Sequence, residues 1–458
     1  MIAGLLATAT WAFLALAAGS ALPGRRSPGE NLALGAAALS LVAFWASLAG
    51  VPLAPPLLGL LAALAVGAAM ARGPWKRQAG STGVPVPARP SPLEGVALVA
   101  LAAALAVVAA QALHEPLLSW DARTHWTYLA RVLYFEGSVS APILYQPSAT
   151  VLHHDYPLLV PLSEWAVFVL QGSADDHAAR LVSVVFYAAF LGALGAVLAR
   201  ATPRPLPLVG TALVGTTPFL ILLRDGGASS GYADLPVALM VTAYLGLVLD
   251  WARGREAGPL LVASLAGCGV LFTKREGLPL AALLLLVPLA ACPRRWREVL
   301  AHAALLAALS LPWLAHWQAL PADFGVGAVA DPAAARAGLD RLPGLLGTYA
   351  FQLFGSPALW GLLGWVVAGL ALTGGRHRRL EAGLLAVVLL YLALHLVVYV
   401  TSPRPPSGGN PTTRVRILFH VAPAAALYAA LRASRLLAEP DLGDRGGAPP
   451  PARTGTPA

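Results

Sequence analysis

Long apolar runs, interrupted at short intervals by clusters of arginine, proline and glycine, set the pattern of this chain. A helix rises about 1.5 Å per residue, so roughly 20 apolar residues cross a hydrocarbon core about 30 Å thick. Thirteen runs meet or approach that length: 2–22, 31–53, 55–71, 93–113, 179–199, 205–223, 234–251, 259–273, 278–292, 298–316, 346–371, 380–400 and 415–434. The members of the pairs 31–53/55–71 and 259–273/278–292 are short or closely joined. Backbone groups in lipid must bond internally, so the pattern predicts an all-α polytopic membrane protein.

Composition agrees: 57% of the 458 residues are hydrophobic and 12% charged, with mean hydropathy +0.69. The charges then decide orientation. One face receives Arg25 and Arg26; Arg72, Lys76, Arg77 and Arg89; Arg200 and Arg204; Arg253 and Arg255; Arg294, Arg295 and Arg297; Arg376, Arg378 and Arg379; and Arg432, Arg435, Arg445 and Arg453. That is 20 of the 31 basic residues, which makes this face cytoplasmic, whereas 13 of the 22 acids fall on the other. The net charge of +9 is therefore mostly a topology signal, and nucleic acid is not an expected partner. The amino terminus is expected outside and the carboxyl tail inside.

The alternation holds only if the apolar stretch Tyr156–Leu170 does not cross the membrane; it reads as a juxtamembrane or re-entrant helix. Residues 114–178 then form one large extracytoplasmic loop. The chain divides into three amino-terminal spans (1–71), a cytoplasmic linker (72–92), a main membrane domain (93–435) and a disordered tail (436–458). The first run has no charged leader and no clear cleavage site, which argues against a removed signal peptide. Cys268 and Cys292 supply no disulfide or zinc framework. No internal repeat is visible. The richness in Ala, Leu, Gly, Pro and Arg, with Lys76 and Lys274 the two lysines, points to a bacterium with a GC-rich genome.

Ionisable residues beside apolar runs are costly and mark sites of function. Asp121 stands in Ser119-Trp120-Asp121-Ala122-Arg123-Thr124-His125-Trp126, bracketed by tryptophans at the end of a span. Ser119–Phe135 can form an amphipathic helix ending near Gly137. Asp121, Thr124, His125 and Tyr128 would share a polar stripe, and Trp126, Leu129, Ala130 and Leu133 an apolar one. The plainer reading is an interfacial helix whose Asp121 merely faces water. In Leu152-His153-His154-Asp155-Tyr156-Pro157, Asp155 can cap the following helix or, with His154, face Asp121 as an acceptor-binding or supporting group. His153, His154 and Asp155 could also ligate a metal, but adjacent residues on an extended chain point opposite ways.

Two more loops reach the same face. Asp234, in the glycine-rich stretch Arg224–Pro236, either caps the span that follows or joins the site. Lys274-Arg275-Glu276 lies between two short apolar runs, as a solvated hairpin tip or a recessed charged site. Arg414 and Arg416 open the last span, where they either snorkel or bind phosphate, which guanidinium groups grip in bidentate fashion.

Trp120-Asp121-Ala122…Trp126, His154-Asp155-Tyr156-Pro157, Gly231-Tyr232-Ala233-Asp234-Leu235-Pro236 and Lys274-Arg275-Glu276-Gly277 together resemble bacterial membrane glycosyltransferases of the C-type fold. These are relatives of the dolichyl-phosphate-mannose protein mannosyltransferases and the lipid A aminoarabinose transferases, and the resemblance covers roughly residues 93–435. It implies a polyprenyl-phosphate-linked sugar donor, transfer outside the cytoplasm with inversion at the anomeric carbon, and an essential acid in the first large external loop. Asp121 matches that acid. Many members carry an adjacent acidic pair; here Ala122 follows Asp121, so the second acid comes from elsewhere, with Asp155 one option. The three spans before residue 93 also depart from the simplest pattern.

The expected activity is transfer of a sugar from a polyprenyl-phosphate donor to an acceptor hydroxyl on a cell-envelope glycan, lipid or protein, at the outer face of the bacterial inner membrane. Asp121 is the expected general base. His125, His154, Asp155, Tyr156 and Asp234 would serve the acceptor or support the site, and Lys274, Glu276, Arg414 and Arg416 the lipid phosphate. A phosphate neutralised by side chains requires no metal, so no cofactor is expected. The competing class is a polytopic transporter or lipid/polysaccharide flippase, which predicts mid-membrane charges and repeated halves; a non-catalytic scaffold would have no clustered outer acids. The sugar, the acceptor and the oligomeric state are not legible.

Overall fold

The computed structural model describes residues 1–24, 26–72, 89–146, 153–254, 256–321, 333, 336, 338–374, 377–401 and 411–438. Arg25, Lys76, Arg77, Arg255, Arg376, most of the linker and the tail beyond 438 lie outside the described residues. Among those described the regular structure is helical throughout. In chain order the helices are α1 (Ile2–Ser20), α2 (Pro28–Leu48), α3 (Pro55–Ala71), α4 (Pro92–His114), α5 (Thr127–Glu136), α6 (Leu159–Gln171), α7 (Asp176–Ala201), α8 (Leu206–Gly215), α9 (Pro218–Leu222) and α10 (Asp234–Arg253). They continue with α11 (Gly258–Thr273), α12 (Gly277–Leu284), α13 (Leu286–Ala291), α14 (Trp296–Ala319), α15 (Leu342–Ala350), α16 (Pro357–Trp360), α17 (Leu363–Leu372), α18 (Arg379–Thr401), α19 (Pro411–Phe419) and α20 (Ala422–Ala438).

Seven described helices are long and apolar enough to cross a membrane, or eight if the bent pair α19/α20 is one span. The remaining predicted spans are shorter or broken. Run 205–223 splits at Thr216-Thr217 into α8 and α9, and run 346–371 splits into α15, a π-turn over Phe351–Gly355, α16 and α17. Run 278–292 becomes α12 and α13, while α19 and α20 meet at 52°. Proline at the head of α9 and of α16 accounts for two of these breaks, since it lacks the amide hydrogen a continuing helix needs.

Helix α10 is the axis of the bundle. It packs against α2, α7, α11, α13, α19 and α20, and nearly every side chain along it is buried. Its first residue, Asp234, is thereby placed at one end of the protein's interior. Stretch Tyr156–Leu170 forms α6, only 13 residues long, which lies buried against α1, α2, α5 and α7 rather than continuing as a span.

Charged loops sort into two groups that contact among themselves. Arg200 binds Glu30 and Asp250; Arg204 binds Glu94; Arg253 donates to the Arg200 carbonyl; and Arg295 donates to Glu298 and to the Trp251 and Gly254 carbonyls. All of these belong to the face read as cytoplasmic from the sequence. The residues assigned to the opposite face form a second cluster.

Candidate active site

Asp121 sits where the chain leaves α4 and re-enters helix. A π-turn over Ala122–Trp126 precedes α5, and Gly137 ends α5 in the left-handed conformation expected of a glycine cap. The wider turn changes the spacing along the segment that carries Asp121, Thr124, His125 and Tyr128. Thr124 bonds back to the Trp120 carbonyl at 2.8 Å, and buried His125 stacks on Tyr156 with ring centroids 5.5 Å apart. Trp120 faces outward while Trp126 is buried. The apolar stripe Trp126, Leu129, Ala130 and Leu133 is likewise interior, with α5 packed on α6. Single π-turns of this kind recur at functional sites.

Asp121 meets residues almost 300 positions away. Arg416 Nη1 lies 2.8 Å from Asp121 Oδ2 and 3.6 Å from Asp234 Oδ2. Asp234 Oδ1 accepts from Lys274 Nζ at 2.6 Å and lies 2.9 Å from His420 Nε2. His420 Nδ1 is 2.7 Å from the Tyr391 hydroxyl, and Glu276 approaches Lys274 at 3.8 Å. Lys274 is buried, not a solvated hairpin tip. Helix α11 spans only 16 residues, roughly 24 Å, which leaves its terminal Lys274 recessed.

Asp234 heads α10, yet its side chain caps nothing; its carboxylate is committed to Lys274 and His420. Asp155 does not cap α6, which begins at Leu159 with no side-chain cap. Instead, buried Asp155 pairs with Arg275, whose guanidinium also lies 4.8 Å from the centre of the Tyr156 ring. His154 Nδ1 is directed to the Leu144 carbonyl at 3.2 Å, and its ring stacks on Tyr128. His153, His154 and Asp155 do not converge, and among the described residues no three His, Cys, Asp or Glu side chains form a metal-binding group. Arg414 stands 5.5 Å from the Tyr399 ring centre.

The glycine-rich loop supports this arrangement. Tyr232 accepts the Asp121 amide at 3.1 Å, donates to Asp225 at 3.2 Å, and lies beneath the Arg416 guanidinium at 4.4 Å. Burial, reinforced by the Asp121 carboxylate, raises its phenol above the ordinary value and keeps it a neutral donor. Burial and the Glu276 and Asp121 carboxylates do the same for Tyr156. For Glu276, burial opposes ionisation, but Lys274 and His420 outweigh it and hold the carboxyl below its usual value. Arg180 ties both loops together, donating to the Ser229, Glu115 and Pro116 carbonyls.

The sequence reading did not select Tyr232, Tyr391, His420, Arg275 or Arg180. The one signal for His420 is a polar residue within an apolar run; the tyrosines look like ordinary core. Of the selected residues, Asp121, Asp234, Lys274, Glu276 and Arg416 form one connected cluster, with Tyr156 and His125 alongside. His154 and Arg414 make their contacts elsewhere on its margin.

Next to the cluster, α17, α18 and α20 enclose an apolar groove of about 170 Å³, lined by Trp360, Leu363, Val367, Leu392, Leu418 and Val421 among others. Leu392 and Val421 of its lining adjoin Tyr391 and His420 of the charged cluster in sequence.

No family model matches the chain, and no curated protein matches it. Among solved structures it is similar to ArnT from Cupriavidus metallidurans bound to undecaprenyl phosphate, with 15% sequence identity and a TM-score of 0.48. That likeness covers 74% of this chain and 60% of the other, so the chain spans less than two thirds of that protein's length.

Proposed function

We propose that this protein is a membrane glycosyltransferase that moves a sugar from a polyprenyl-phosphate carrier to an acceptor hydroxyl. The observation that carries the reading is the continuous chain Asp121–Arg416–Asp234–Lys274, recessed at one end of the bundle and bordered by an apolar groove. A carboxylate with open access, two buried cations and an apolar slot match the three parts of such a reaction: a hydroxyl proton to remove, a phosphate to receive and a prenyl chain to seat.

In the proposed step the acceptor oxygen attacks the anomeric carbon as Asp121 takes the hydroxyl proton. The bond between that carbon and the phosphate oxygen breaks on the opposite face, and its electron pair leaves with the polyprenyl phosphate. Inversion follows from the single displacement. Positioned acid–base groups contribute about 10²–10⁴-fold, and cations fixed where charge develops stabilise the departing phosphate without reorganising. Asp234 is the anion that holds those cations in place, and His420 orients Asp234. Arg414 adds positive charge at the margin, while His125, Tyr156 and the Asp155–Arg275 pair form the wall on the acceptor side.

Asp121→Asn is expected to abolish transfer from a polyprenyl-phosphate sugar while leaving membrane insertion and thermal stability intact; retention of more than a tenth of the activity would exclude Asp121 as base. Because Lys274 and Arg416 meet the phosphate charge, we also propose transfer without a divalent metal. Activity should then survive EDTA, and loss restored by Mg²⁺ or Mn²⁺ would refute this. Mass spectrometry of envelope glycans and lipid-linked sugars from a deletion strain should show one sugar missing and its donor accumulated.

A further inference from the structure

The two carboxylates that share Arg416 are held very differently. The Asp234 side chain is 2% exposed and also engages Lys274 and His420, itself fixed by Tyr391. Asp121 is 29% exposed, and Arg416 is the cation it pairs with. Its amide is anchored on Tyr232, so the carboxylate can swing about its side-chain torsions without moving the backbone. Arg416 has no such freedom. It is buried, bonded to Thr413 at 3.1 Å, laid over Tyr232 and hemmed in by Gly226. Among the described residues its Nε has no hydrogen-bond partner.

A base locked in an ion pair is a poor base, because the neighbouring cation favours its charged form. We propose, on the functional reading above, that Arg416 is an exchange residue: the donor phosphate takes the place of Asp121 on the guanidinium, so the base is released only when donor is bound. Charge supports the exchange. Lys274, Arg275 and Arg416 pair with Asp121, Asp155, Asp234 and Glu276, three cations against four carboxylates. A phosphodiester adds one more negative charge to a set in which the cations are already outnumbered. Asp121 then loses its ion-pair partner and gains an anionic neighbour, which frees its carboxylate to turn toward the acceptor hydroxyl. Donor therefore binds before acceptor, and the empty enzyme holds no active base to direct at water.

The test is a double-mutant cycle on affinity for undecaprenyl phosphate, read by native mass spectrometry of the full-length protein in detergent, with undecaprenol as the uncharged control. If phosphate competes with Asp121 for Arg416, Asp121→Asn removes the competitor and tightens binding about five-fold or more, whereas Asp121→Glu does not. Arg416→Gln weakens binding, and adding Asp121→Asn to it changes affinity by less than about two-fold, because the gain passes through the guanidinium. Simple repulsion between Asp121 and phosphate predicts the same tightening in both backgrounds, and that result overturns the exchange while leaving the function standing. Unchanged or weaker binding by folded Asp121→Asn does likewise. If the wild-type protein prefers undecaprenyl phosphate no more than undecaprenol, the donor assignment itself fails and the exchange falls with it.

Discussion

Gly226 shows how closely the backbone is drawn around Arg416. Its φ of +98° belongs to the region that disfavours side chains, and a Cβ there would overlap the Arg416 side-chain methylenes. Gly226→Ala is therefore expected to cost about 1–3 kcal/mol of backbone strain and contact and to push the guanidinium off Asp121 and Asp234. Affinity for a polyprenyl phosphate should fall by a factor of ten or more on that scale, and an unchanged Kd would show that Arg416 does not bind the phosphate. The same residue measures what the sequence could reveal. Asp121, Lys274 and Arg416 stand out because charge beside an apolar run is expensive. Asp234 and Asp155 were each open to a helix-capping reading, and neither caps a helix. Asp234 became central, and Asp155 was taken up by Arg275. Tyr391 carries no such mark, since an aromatic in an apolar stretch is indistinguishable from core until its partners are known; Tyr232 stands in a glycine-rich loop with nothing to name its partners, and His420 shows only as one polar residue within an apolar run. Gly226 was visible as one of several glycines, but the side chain that requires it is nearly 200 residues away.

At the level of elements, the start of α2 and the start of α4 use one device twice. Ser27-Pro28-Gly29-Glu30 and Ser91-Pro92-Leu93-Glu94 both form capping boxes, with serine accepting from the glutamate amide and the carboxylate returning to the serine amide. Each glutamate also binds an arginine at or just after the end of α7, Glu30 to Arg200 and Glu94 to Arg204. Helix starts and the middle of the bundle are thereby riveted together at the end remote from the active site. Glu30 is fully buried, and Asp250 remains beside Arg200 at 3.3 Å when it is removed. Glu30→Ala should then cost about 2 kcal/mol, below the range for a wholly unpaired buried charge, and lower the unfolding temperature in detergent. Binding of polyprenyl phosphate should be untouched, and a matching loss there would mean that the two ends of the bundle are coupled. Helices of this kind were legible, because predominantly apolar runs of 19 to 27 residues have few alternatives in a membrane. Broken ones were not. Runs 205–223 and 346–371 keep their hydropathy through the breaks, and hydropathy records burial in lipid or protein without recording whether the helix continues. The π-turn at Ala122–Trp126 escaped for a similar reason: it changes the phase of a helix without changing its composition.

For the whole molecule, the separation of charge into two clusters is the feature on which the proposed chemistry depends. Helices α2 and α10, 21 and 20 residues long, hold Glu30 and Asp250 at one end, and α10 holds Asp234 at the other; roughly 24 Å of helix lies between Asp234 and Asp250. The contacts fix which loops share a face, and the bias of basic residues predicts that the Glu30–Asp250 end is cytoplasmic. Under the proposed function, a sugar carried on a polyprenyl phosphate would then be met from outside, where an envelope acceptor has access. This orientation can be read directly in cells with single cysteines in a Cys268→Ala, Cys292→Ala background. Ser140→Cys, exposed beyond α5 on the active-site side, should react with a membrane-impermeant maleimide in intact spheroplasts. Arg294→Cys, exposed at the opposite end, should react only after permeabilisation. The reverse pattern would place Asp121, Lys274 and Arg416 on the cytoplasmic side and confine any transfer to that compartment. Labelling of both sites in intact spheroplasts would contradict the separation of the clusters by a hydrocarbon layer, and with it the reading of α10 as a helix that joins two aqueous faces.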